Sequence, residues 1–119
     1  MTDRERLKEA KAAIESAQLL AAKSQDRGVR LAVSLTEARI LTALGQFETA
    51  AQKIEAVLGE ARKVGFTLTE MEATLALGEL EIRSGKATAG RARLAALQKQ
   101  AEAKGIRLLA QKAAALRGA

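Results

Sequence analysis

ARILTALGQFETAAQKIEAVLGEARKVG at residues 38–65 and GELEIRSGKATAGRARLAALQKQAEAKG at residues 78–105 are one pattern written twice, with a single constant offset between the copies. Gly45 answers to Gly85, Ala50 to Gly90, Ile54 to Leu94, Val57 to Leu97, Ala61 to Ala101 and Gly65 to Gly105. The apolar and small positions recur at helical spacing and the glycines punctuate them, so residues 38–104 spell a helix–turn–helix unit twice. The register extends outward. Leu7, Ala10, Ile14, Ala17 and Ala21 precede Phe47, Ala50, Ile54, Val57 and Ala61 by the same offset. The first helix is therefore expected to be the second half of a unit, and the last helix the first half of another.

The expected elements are six helices, over residues 3–23, 29–44, 47–64, 67–84, 88–104 and 106–117. Thr2 and Glu5 have the spacing of a capping box, as do Thr67 with Glu70 and Thr69 with Glu72. Residues 24–28 form a turn ending in Gly28, and Gly45, Gly65 and Gly85 end helices by taking the left-handed conformation. Gly78, inside the fourth helix, implies close approach of the next helix; Ala38 holds the equivalent place in the second. No Pro breaks a helix interior, and no stretch alternates like a strand.

Composition narrows the chemistry. With no His, Cys, Tyr or Trp, neither a Ser–His or Cys–His nucleophile pair nor a zinc site of ordinary ligation can be assembled. Glu72 and Glu79 stand two turns apart on one face, without the histidines a di-metal bundle site uses. Residues 85–90 have the glycine spacing of a phosphate loop, but Arg91-Ala92 follows where Lys and Ser/Thr are needed, and a helix precedes it. The reading is a non-enzyme with no cofactor. No apolar run reaches membrane-spanning length, and a cytoplasmic location is the expectation.

Charge is unevenly spread. Residues 86–119 carry eight basic side chains against Glu102, a net +7 within a chain of net +6, while residues 67–83 are net −3. Arg91, Arg93, Lys99, Lys104, Arg107 and Lys112 are a candidate basic patch. Its basicity raises nucleic acid as a partner, but no aromatic accompanies it for base stacking, which leaves a nucleic-acid-binding accessory domain as the weaker alternative.

The small–glycine–small sets Ala38, Gly45, Ala50 and Gly78, Gly85, Gly90, with the pair Leu77-Gly78, make the chain resemble the tetratricopeptide-repeat (TPR) family. It departs from that family in Glu37-Ala38, in Leu41 and Glu81 at the usual Tyr place, and in lacking the terminating Pro. Its period of 40 also exceeds the family's usual ~34. The resemblance implies an all-α fold of antiparallel helix hairpins stacked as a TPR-like right-handed array, with a closed helical bundle as the rival. Residues 1–119 would be a single domain, a fragment or C-terminal part of a longer array. It also implies a protein–protein interaction scaffold binding a protein or peptide. The first helix of each hairpin would line the binding groove, placing Arg39, Thr42, Glu72, Glu79 and Arg83 there, with Leu35 and Leu75 at or just behind that surface. The alternative is a self-associating structural bundle, a homodimer through the uncovered first helix.

Overall fold

The computed structural model describes residues 2–23 and 26–118, which form α1 (Asp3–Lys23), α2 (Arg27–Ala43), α3 (Phe47–Val64), α4 (Thr67–Arg83), α5 (Ala87–Ala103) and α6 (Arg107–Gly118). Consecutive helices pack against one another as antiparallel neighbours. Beyond these, α2 touches α4 and α4 touches α6, while α1 and α6 do not meet among the described residues. The arrangement is an open row, with α2, α4 and α6 side by side, and not a closed bundle.

One turn, used four times, sets this geometry. Gly45, Gly65, Gly85 and Gly105 all have positive φ, and they are evenly spaced along the chain. At each, the residue after the glycine donates its N–H back five residues: Gln46 to Leu41 O, Phe66 to Ala61 O, Lys86 to Glu81 O and Ile106 to Ala101 O, at 2.7–2.9 Å. The glycine N–H donates to the carbonyl three residues earlier. This paired closure satisfies carbonyls a helix end leaves open. Gly85 and Lys86 are thus such a turn, with the Lys86 N–H bonded to Glu81 O, and residues 87–90 are the first turn of α5.

Helix starts are less uniform. Thr2 and Glu5 form the expected reciprocal box, each backbone N–H donating to the other's side chain at 3.2 Å. Asp26 caps α2, accepting from the Val29 N–H at 3.1 Å, so that helix begins two residues earlier than expected and takes Gly28 into its first turn. Ser24 and Gln25, the other part of the expected turn, lie outside the described residues, as does the side chain of Ala21. Neither capping box expected at α4 forms. Its N-cap is Phe66, which offers no acceptor, and Glu70 instead takes the Arg62 Nε–H at 2.9 Å, tying α3 to α4 across the turn.

The core is organised by α4. Its Ala73, Ala76, Leu77 and Leu80 join residues of α2 and α3 in one apolar cluster, and its Met71 and Leu75 join α5 and α6 in a second. At the crossing with α5, Gly78 faces Gly90. A Cβ on Gly78 would stand 2.7 Å from Leu94 Cδ2, and one on Gly90 would stand 2.7 Å from the Gly78 carbonyl oxygen. The equivalent α2–α3 crossing is filled by Ala38 and Ala50, both fully buried. The close approach implied by Gly78 is therefore realised, and realised on both helices.

Gly90→Ala must push helix backbone apart and should cost about 1–3 kcal/mol, the usual range for overpacking. Gly59, exposed inside α3 with nothing near its would-be Cβ, is the control. Gly59→Ala should stabilise by about 0.5–1 kcal/mol by removing backbone freedom from the unfolded chain. Denaturant unfolding followed by circular dichroism checks both signs.

Candidate functional site

A step of one repeat puts equivalent side chains of α2, α4 and α6 on the shared surface of the row. Leu35 and Leu75 are equivalent, and both are buried in its floor with Leu109 beside them. Leu68 and Leu108 are also equivalent, each one residue into its helix, but they are 51% and 64% exposed. These side chains, with half-buried Ile106, line one depression of about 280 Å³ spanning the three helices. Arg39 from α2, Glu72 from α4 and Lys112 from α6 complete its lining, so its charge runs positive, negative, positive across the row. Arg39 also opens onto a neighbouring depression of about 290 Å³ with Thr36, Ile40 and Glu79. Glu79 accepts an ion pair from Arg83 at 3.3 Å, one turn along α4.

Three of the five residues expected in the groove, Arg39, Glu72 and Glu79, line depressions along this face, and Arg83 is linked to it by its ion pair with Glu79. Thr42 is not on it. It is 5% exposed, and its hydroxyl donates to the Ala38 carbonyl at 2.9 Å. Four residues beyond Ala38, it falls on the side of α2 that packs against α3, because helix positions four apart share a face. Leu68 and Leu108 are the contributors that the motif reading missed. Their signal was present: both stand three residues after a turn glycine, Gly65 and Gly105, one repeat apart.

The six cations expected as a patch do not share one face. Arg93 is engaged by Glu81, with Nε–Oε1 at 2.6 Å and Nη2–Oε2 at 3.4 Å. Lys112 belongs to the depression just described, whereas Arg107 lines another between α5 and α6 with Gln98 and Glu102. Arg91, Lys99 and Lys104 are exposed. The dispersal follows from spacing: residues two apart, such as Arg91 and Arg93, point to opposite sides of a helix.

Glu37 is the most deeply placed of the ion-paired carboxylates, with 6% of its side chain exposed. Lys53 of α3 reaches it at 3.2 Å and Gln18 Nε2 of α1 at 3.5 Å, joining three helices at one point. The cation position recurs in the second unit as Arg93, but its acid there is Glu81, one turn further along the partner helix. Leu41 and Leu77 fill the alternate places and both are buried. Glu37, which departs from the Leu-Gly pair, and Glu81, at a place the resembled family gives to Tyr, are therefore the two acids of one recurring cross-helix pairing.

No protein-family model, curated protein or solved structure matches the chain.

Lys53→Met leaves a carboxylate buried without its cation and should destabilise by about 1–3 kcal/mol. Adding Glu37→Leu, which copies the second unit, should return most of that loss, because an apolar pair avoids the desolvation of two charges. Thermal unfolding of the single and double variants measures the recovery.

Proposed function

We propose that this chain is a non-enzymatic protein–protein interaction scaffold module of TPR-like type, which works in the cytoplasm and binds a protein or peptide partner through the joint face of α2, α4 and α6. One observation carries this reading: two repeat-equivalent leucines, Leu68 and Leu108, stay exposed beside a leucine floor rimmed by Arg39, Glu72 and Lys112. Contiguous apolar surface rimmed by polar groups marks interaction sites, and stacked hairpins offer extended surfaces of this kind.

Reversing charge with Arg39→Glu and Arg83→Glu should abolish capture of the natural partner from cell extract. Both side chains are exposed; losing the Arg83–Glu79 pair and placing two glutamates four residues apart each cost about 0.2–0.5 kcal/mol, so the fold persists. Undiminished capture would place the contacts elsewhere.

The second reading is a structural bundle that associates with its own copy, and α1 favours it. Ala50 and Ile54 are fully buried in α3, but their equivalents Ala10 and Ile14 are only half-buried in α1. Leu19 and Leu20 are 64% and 66% exposed. Light scattering over a wide concentration range separates the readings: a mass that rises with concentration and falls back in Ile14→Ser supports self-association, and a constant monomer mass ends it.

A further inference from the structure

The depression across α2, α4 and α6 has a chemistry that selects the shape of its occupant. Its floor and walls are leucine and isoleucine. Its charged groups, Arg39, Glu72 and Lys112, come one from each helix. The surrounding backbone is helical, with its own hydrogen bonds already made, and presents no sheet edge to which a peptide could add. An extended peptide would lay amide groups on leucine with nothing to pair them, and burying an unpaired amide is unfavourable. A helix keeps those bonds internal and needs to supply only side chains.

We infer that this depression takes a short amphipathic α-helix of a partner protein, lying across the row, whose apolar stripe meets Leu68, Leu75 and Leu108 and whose flanking charges run acidic, basic, acidic. This rests on the proposed role of the same face. The charge order is the complement of Arg39, Glu72 and Lys112 taken from α2 to α6. Helix axes packed side by side are about 8–10 Å apart, so the span from α2 to α6 is roughly 16–20 Å. At 1.5 Å per residue that span needs about 11–13 residues, or three turns of the bound helix. Glu79 does not disturb the pattern, because Arg83 neutralises it within α4.

The probes are labelled synthetic peptides of about sixteen residues with leucines along one helical face. One carries Glu, Lys and Glu beside successive turns, one carries Lys, Glu and Lys, and one repeats the first with a central proline. Fluorescence anisotropy with the full chain should give binding of the first, with the other two weaker by about tenfold or more. The double variant Leu68→Ser, Leu108→Ser should lose that binding while keeping its circular dichroism, since both leucines are more than half exposed. The double variant Arg39→Glu, Lys112→Glu should move the preference towards the second peptide. Equal binding of the two charge orders, undiminished binding of the proline peptide, or indifference to both double variants overturns the inference. So does self-association that the leucine variants abolish, which would make a second copy the occupant. If no peptide binds while the natural partner is still lost on reversal of Arg39 and Arg83, this inference fails and the interaction role of the face stands.

Discussion

The contact between Gly78 and Gly90 is the constraint on which the second half of the row depends. With no Cβ at either of these two positions, the α5 backbone comes within reach of the α4 backbone, and Leu94 settles over Gly78. That approach brings Leu94 and Leu97 into the cluster with Met71, Leu75 and the residues of α6. An interior glycine costs about 1 kcal/mol of helix stability relative to alanine. α4 tolerates it because the same helix is buried on two sides. It places Ala73, Ala76, Leu77 and Leu80 in one cluster and Met71 and Leu75 in the other, each apolar side chain contributing by leaving water.

This central helix also positions the candidate site. Because α4 is held from both sides, one strip of its surface faces α2 and α6, where Leu68, Glu72 and Leu75 line the shared depression and Glu79 the one beside it. The four identical glycine turns keep α2, α4 and α6 in step, so side chains one repeat apart become neighbours across the row. A repeat in sequence thus becomes a two-dimensional array of side chains on one face. Substituting an exposed position of that face changes one point of the array, whereas substituting a crossing residue such as Gly90 disturbs its framework.

The cross-helix ion pairs show how two near-copies stay distinct. Lys53 and Arg93 occupy the same place, yet their acids, Glu37 and Glu81, are one turn apart, with buried leucines in the exchanged positions. Glu37 additionally receives Gln18 from α1, which makes it the polar junction between the first helix and the rest. α1 otherwise keeps the apolar pattern of α3 and α5 without their burial. Leu7, Ala10, Ile14 and Ala17 of its stripe are half-buried, with Ile14 packed against the first apolar cluster.

The local sequence was enough to determine the helices and the glycine turns at Gly45, Gly65 and Gly85, but not the start of α2, which takes in Gly28. Periodic apolar positions define a helix about its own axis, glycine is the residue that takes a positive φ at its end, and the Thr2–Glu5 box closes within four residues. Arg39, Glu72 and Glu79 were expected on one face only from the resemblance to stacked hairpins, and they line two adjoining depressions. Only the tertiary structure decided which side of each helix meets a neighbour. It buried Thr42 and Glu37, left Leu68 and Leu108 exposed beside each other's helices, gave Glu70 to Arg62 instead of to a helix cap, and scattered the basic residues that sequence had grouped. Spacing along the chain fixes an angle about one helix axis. Partnership between side chains depends on how two axes are set against each other, and here that is set by the glycine crossing and by burial between helices.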